Sequence, residues 1–286
     1  MHNLTVDSTR ENGRTIGEKM VALGNDVSLQ VAEIGQGEPV VLICGTGQHH
    51  WMWAPLLPAL CPRFKVISYN HRGIGESGRG SGPIGVRSLA DDLAELLDAL
   101  SVDRAHLIGW SLGSAVAQEF ALSHPARVAS LVLACTWGRT DQFQHAVFTG
   151  LSHPWRTGDR AAGLVALRIV FSPELLVSGR FVPVTAQLDT MFPSTGSQMS
   201  AMVEQWDADG AHDALDRLGA IGVPTLVISG KQDLLTPARS GRAVSDRIPG
   251  ARFELLTGPG SSHGLVWERT EEFTSLVSGF LAGHPL

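Results

Sequence analysis

The chain has 286 residues, 43% of them apolar and 17% charged, a balance that suits one large α/β domain with an insertion or two small domains. A formal net charge of -6, with no basic run interleaved with aromatics, argues against nucleic acid or an anionic membrane surface as the main partner. No stretch approaches the roughly 18 uninterrupted apolar residues of a membrane span. Met1 to Lys19 is polar and mixed in charge, without the apolar centre of a signal peptide, so a soluble cytoplasmic protein is expected. The cysteines, Cys44, Cys61 and Cys135, have neither metal-ligand spacing nor the even number of a disulfide framework, and read as buried free thiols.

Residues 1–18 read as a weakly ordered lead-in. Met20 to Leu23 and Val27 to Ile34 form a hairpin pattern across a Gly-Asn-Asp turn. Pro39 to Cys44 is apolar throughout, as expected of a central strand covered on both faces. Phe64 to Tyr69 is the next strand. A helix is expected from Ser88, where Leu89, Leu93, Leu96, Leu97 and Leu100 recur at helical spacing and Ser88 with Asp91 resembles a capping box. Ala105 to Ile108 and Val128 to Ala134 are further buried strands, separated by a helix ending near His124-Pro125. This alternation predicts a mainly parallel sheet over 19–136.

The pattern then changes. Over 137–210 we find no apolar strand bounded by turns, and instead expect short helices at Ala161 to Val170, Thr185 to Met191 and Ser197 to Trp206. Such an insertion reads as a cap over the strand ends. The core resumes over 211–286, with strands at Pro224 to Ser229 and Phe253 to Leu256. A helix is expected after Thr236-Pro237, with Thr236 as its N-cap, and another over Val266 to Leu281.

The chemistry centres on Gly109-Trp110-Ser111-Leu112-Gly113, which follows a strand and opens a helix. G-x-S-x-G in that setting places a serine hydroxyl at the tip of a sharp turn. Serine is a weak nucleophile and needs a base, itself oriented by a third group. In an open parallel sheet such groups lie beyond the carboxyl ends of strands. His263 meets that condition after the last strand, and Asp233 does so after Val227-Ile228. Asp141 is a rival acid that would need a bend back toward the histidine, while Asp213 and Asp216 read as solvated. His49, His50 and His71 lie near strand ends as possible substrate contacts. Backbone N–H groups of Leu112, at a helix start, and of Thr46, in the glycine-flanked loop after the Val40 strand, are the expected oxyanion donors.

With these residues in place, the sequence resembles the α/β-hydrolase superfamily from about residue 20 onward. The matching pieces are Cys44-Gly45-Thr46-Gly47, Arg72-Gly73-Ile74-Gly75-Glu76-Ser77, Gly109 to Gly113, Gly230-Lys231-Gln232-Asp233, and His263. The resemblance implies an eight-stranded, mostly parallel sheet with an antiparallel second strand, helices on both faces and a helical cap after strand six. It looks closest to the capped branch holding lactonases, carboxylesterases and carbon–carbon bond hydrolases. The chain departs from the family's usual residues at Cys44, Asn70 and Ser114, where His, Asp and Gly are common.

The expected function is a serine hydrolase cleaving a carboxylic ester or lactone of a hydrophobic small molecule, with no metal and no organic cofactor. Trp51, Trp53, Trp110, Trp137 and Trp155 are the candidate substrate-binding aromatics. Thioester and carbon–carbon cleavage use the same triad and stay open. So do a non-hydrolytic cyclase, lyase or isomerase of a natural-product pathway, and a binding protein with the capped cavity as receptor. Oligomeric state is not legible in the sequence.

Overall fold

The computed structural model describes residues 17–24, 26–179, 186 and 189–286. The lead-in expected over 1–18 lies outside them as far as residue 16, as do Asn25 of the hairpin turn and most of the helix expected over 185–191. The first strand, β1, runs Gly17–Ala22, so residues 17 and 18 belong to the sheet. It is followed by β2 (Ser28–Ile34), β3 (Glu38–Ile43), β4 (Phe64–Tyr69), β5 (Ala105–Trp110), β6 (Val128–Ala134), β7 (Thr225–Gly230) and β8 (Arg252–Leu256). They form one eight-stranded sheet in the order β1-β2-β4-β3-β5-β6-β7-β8. β2 is antiparallel to both β1 and β4, and the remaining pairs are parallel. This is an α/β-hydrolase fold.

The predominantly apolar central strands follow from burial on both faces. Val41, Ile43, Leu107, Leu131 and Val227 point into one apolar cluster, which takes in Leu89, Leu93 and Leu96 of α2 (Val86–Ala99) and Val116 and Phe120 of α3 (Leu112–Ser123). Their neighbours Val40, Leu42, Ile108, Val132 and Ile228 point the other way, toward Leu57 and Leu60 of the short α1 (Leu57–Leu60) and the chain's last helix. α2 begins two residues earlier than expected. Ser88 is not its cap but its third residue, reaching back to accept from the Gly85 N–H at 2.9 Å.

Between β6 and β7 the chain forms α4 (Gln142–Arg156), α5 (Arg160–Ala166), α6 (Pro173–Val177) and α7 (Gly196–Ala211). α4 has no counterpart among the expected helices. Asp141 caps it by accepting from the Gln144 N–H at 2.8 Å, and also pairs with Arg239, so it is committed away from the site. After β7 comes α8 (Ala238–Arg247). The helix expected over 266–281 is broken at Arg269 into α9 (Leu265–Glu268) and α10 (Thr270–Ala282). Among the described residues no helix is long and apolar enough to cross a membrane.

Two buried histidines tie stability to pH. His71 Nε2 lies 3.0 Å from the Cys44 carbonyl oxygen and His212 Nε2 lies 3.3 Å from Gln118 Oε1. Burial pushes both down to about 4 from 6.5. The unfolded chain therefore takes up protons near 6.5 while the folded chain does not until about 4. Their contribution is complete above the unfolded value and is lost as pH falls through that window, at up to about 1.4 kcal/mol per pH unit for each. Urea titrations should give a lower midpoint at pH 5 than at pH 7.5, and His212→Gln should flatten that slope.

Candidate active site

The parallel register brings the working loops together. Ile43 pairs with Gly109, Trp110 with Ala134, Ala134 with Ile228, and Gly230 with Leu256, so the carboxyl ends of five strands share one edge. Ser111 sits at the tip of the β5–α3 turn with φ 54° and ψ -125°, in the left-handed region that costs a non-glycine residue strain. The glycines on either side are required by close approach. A Cβ on Gly109 would stand 2.2 Å from the Gly113 carbonyl oxygen, and one on Gly113 would stand 2.1 Å from the Ile43 carbonyl oxygen. Both obstacles are backbone, so neither side chain can be accommodated by a rotamer change. Gly113→Ala is expected to cost about 3 kcal/mol or more, read as a lower urea midpoint with an unchanged slope.

Ser111, His263 and Asp233 meet although far apart in sequence. His263 Nε2 lies 3.1 Å from Ser111 Oγ, and His263 Nδ1 lies 2.8 Å from Asp233 Oδ2. The imidazole and the carboxyl are buried, whereas Ser111 keeps partial exposure. Asp233 Oδ1 accepts from the N–H groups of Leu235 and Thr236, both at 2.9 Å. The Thr236 hydroxyl lies 2.8 Å from Asp233 Oδ2, 3.0 Å from the Cys135 carbonyl oxygen and 3.2 Å from His263 Nδ1. Thr236 was expected to cap the next helix. Pro237 takes that place instead, which frees the hydroxyl for the site.

The imidazole is held from behind as well. Trp110 donates its indole N–H to the His263 carbonyl oxygen at 3.0 Å, and the two rings lie 4.8 Å apart. Cys135 places its thiol 3.4 Å from the same oxygen. Among the described residues Cys135, Asp233 and His263 are a set whose ligand atoms lie within 4.8 Å of one another. His263 Nδ1 is engaged with Asp233, Asp233 Oδ1 already accepts two backbone N–H groups, and the Cys135 thiol lies against the His263 carbonyl oxygen. The donor set therefore suits a hydrogen-bonded triad better than a metal.

The loop after β3 lies against the serine. A Cβ on Gly45 would meet the Trp110 ring at 2.4 Å and the Ser111 Cβ at 3.3 Å. Gly47, at φ 69°, gives its N–H to Gln205 Oε1 at 2.7 Å, and the Thr46 hydroxyl donates to Asp209 Oδ2 at 2.6 Å. Among the described residues the Thr46 N–H has no acceptor. Leu112 opens α3, where the first N–H groups have no intrahelical partner and the helix dipole favours negative charge.

The tryptophans divide. Trp53 and Trp137 are fully enclosed, so neither offers surface to a ligand: Trp53 packs in the interior beside α1, and Trp137 lies between Phe148 and His212. Trp155 is buried against Gly163 and Phe192. Trp110 acts on His263 rather than as open wall, and Trp51 is half-buried beside His49 and His50. Sequence reasoning missed Trp267, whose ring lies 5.2 Å from Trp110 and which, with Gln48, Val170, Phe171 and Phe192, lines a cavity of about 20 Å³. It also missed Glu268, which binds both Ser262, beside the catalytic histidine candidate, and Ser172 before α6. No local signal marks either residue, since both act across chain-distant contacts.

The departures from the usual family residues all find partners. Asn70 accepts from the His50 N–H at 2.6 Å and donates to Gln30 at 2.7 Å, and Ser114 donates to the Ser111 carbonyl oxygen at 2.6 Å. Cys44 is buried, with its thiol 3.6 Å from the Tyr69 carbonyl oxygen. His50 and His71 are buried, and His49 is partly so.

An eight-stranded sheet with a serine elbow after its fifth strand defines a class, and the comparison with known families agrees: the alpha/beta hydrolase fold family matches residues 38–269. The chain belongs to this family and is an enzyme of it. It is 32% identical over 262 residues to a protein of Azorhizobium caulinodans named "Putative carbamate hydrolase RutD", covering 91% of this chain and 97% of that one. Among solved structures it is similar to the enol-lactonase from Burkholderia xenovorans, with 29% identity, a TM-score of 0.84, and coverage of 92% of this chain and 100% of that one. A thermophilic esterase from Thermogutta terrifontis shares 25% identity with a TM-score of 0.82, covering 94% of this chain and 100% of that one.

Proposed function

We propose that this enzyme is a serine hydrolase cleaving a carboxylic ester or lactone of a hydrophobic small molecule. The observation that carries the reading is the unbroken line from Ser111 Oγ through His263 to Asp233, at 3.1 and 2.8 Å. His263 takes the Ser111 proton while Asp233 fixes the imidazole tautomer and stabilises the imidazolium. Ser111 attacks the acyl carbonyl, and the N–H groups of Thr46 and Leu112 receive the oxyanion. Collapse expels the alcohol, protonated by His263, and water activated by the same imidazole then releases the acid. No metal or organic cofactor takes part. The helices between β6 and β7 serve as a cap, with Phe171, Phe192 and Trp267 as apolar wall.

The similarity to an enol-lactonase and an esterase supports an oxygen leaving group. The similarity to a protein named as a carbamate hydrolase favours a second reading, in which the carbonyl carries nitrogen as well. An organophosphonate serine probe, followed by parallel assays on p-nitrophenyl esters of rising chain length, on lactones and on carbamates, tests both. Faster turnover of esters or lactones than of carbamates is expected, and the reverse ranking would select the second reading. Labelling without turnover of any of them would point to a non-hydrolytic cyclase, lyase or isomerase.

A further inference from the structure

We infer that Gln205 and Asp209, one turn apart on α7, are positioning residues that hold loop 45–48 in the shape that aims the Thr46 N–H at the oxyanion. This rests on the serine-hydrolase reading above. Between them they take two polar groups of the loop: Gln205 Oε1 accepts the Gly47 N–H at 2.7 Å, and Asp209 Oδ2 accepts the Thr46 hydroxyl at 2.6 Å. Gln205 and Asp209 are 0% and 1% exposed, so neither bond competes with water.

The loop needs such a grip. Gly45 and Gly47 flank Thr46, and glycine leaves the backbone free to turn the intervening N–H away. With the Gly47 N–H committed to Gln205 and the Gln48 N–H to the Gly45 carbonyl oxygen, the Thr46 N–H is left without an acceptor among the described residues. α7 is itself well anchored. Glu204 pairs with Arg79 at 2.5 Å, the Gln198 amide donates to the Gly75 carbonyl oxygen at 3.0 Å, and the Thr140 hydroxyl donates to the Asp209 carbonyl oxygen at 2.6 Å. Met202 closes the contact: its Sδ lies 2.5 Å from where a Gly47 Cβ would stand. The loop is therefore set from the cap side, not only by β3.

The chemistry of the two side chains suits the place. An amide carries no charge, and burial pushes the Asp209 carboxyl well above its ordinary range, against the opposing effect of the bond from the Thr46 hydroxyl, so the enclosure disfavours a charged group there.

The test uses the full chain with a p-nitrophenyl ester and a trifluoromethyl ketone, whose serine adduct carries the oxyanion. Asp209→Leu, Gln205→Met and Thr46→Val each remove one grip at similar volume. Each is expected to lower kcat by about tenfold to a hundredfold, the loss that a misplacement near 1 Å brings, with KM within about twofold. Ketone affinity should fall by the same factor, and Asp209→Asn, which keeps an accepting oxygen for Thr46, should recover most of both. If Asp209→Leu fails to fold, Thr46→Val removes the same bond from the other side. Folded variants with wild-type kcat would overturn the inference, as would a kcat loss without matching loss of ketone affinity, which would mark a merely structural role. A wild type that takes no phosphonate label would sink the serine-hydrolase reading and this inference with it. A labelled wild type alongside unaffected variants sinks the inference alone.

Discussion

Ser111→Ala is expected, on the proposed acyl-enzyme mechanism, to lower kcat by on the order of 10⁵ to 10⁶-fold, since loss of the nucleophile of a triad removes the action of all three groups together. The variant should lose phosphonate labelling completely and keep its thermal midpoint within a few degrees. Its stability is the informative control. Ser111 holds a strained backbone, but the turn is set by Gly109 and Gly113 pressing on main-chain atoms and by the Ser111 N–H donating to the Ala134 carbonyl oxygen at 3.0 Å. None of these involves the hydroxyl, so alanine keeps the elbow and removes only the attacking atom. A variant that retained more than about a thousandth of the activity would fit no acyl-enzyme mechanism, because the residual rate of a triad-less site comes from oxyanion stabilisation and binding alone.

The second large effect is expected at Asp233. Asp233→Asn should lower kcat by about 10⁴-fold, with little change in stability, and the surroundings dictate why. Oδ1 faces two N–H donors, those of Leu235 and Thr236, so the asparagine oxygen is drawn to that side. Its NH₂ then replaces Oδ2 and points at His263 Nδ1. The imidazole must accept there, which moves its proton to Nε2, where it meets the Ser111 hydroxyl and can take nothing from it. The Thr236 hydroxyl accommodates the exchange by turning wholly to the Cys135 carbonyl oxygen, which lies 3.0 Å away. Kinetics across pH should show the loss at neutral pH with KM nearly unchanged. A loss below about tenfold would mean that another group orients the histidine.

How much of this was legible in the residues themselves depends on distance along the chain. The strands were legible because burial on both faces leaves an unbroken apolar run, as in Val40 to Ile43 and Leu131 to Ala134. Their ends were less so: α2 begins at Val86 rather than Ser88, and the closing helix breaks at Arg269. α4 went unexpected because Pro154 near its end and scattered polar residues blur the apolar period. Thr236-Pro237 has the composition of a helix start, and the threonine was claimed instead by Asp233, a contact three residues back that no helix rule anticipates. Trp53 and Trp137 follow strands, which marks residues near the site without saying which way their rings turn. Both turned into the packed interior.

The elbow glycines, the serine between them and the succession of strands along the chain were determined by the sequence alone, because each expresses a short-range rule: what a backbone turn tolerates, or what a two-sided sheet buries. The grip of Gln205 and Asp209 on a loop 158 and 163 residues away, and the hold of Trp110 on the histidine backbone, were decided only by tertiary structure. Glutamine and aspartate on a helix satisfy the local rules of a solvated face equally well. Only the closure of the chain over the sheet edge shuts water away from them and presents a glycine N–H and a threonine hydroxyl as their partners.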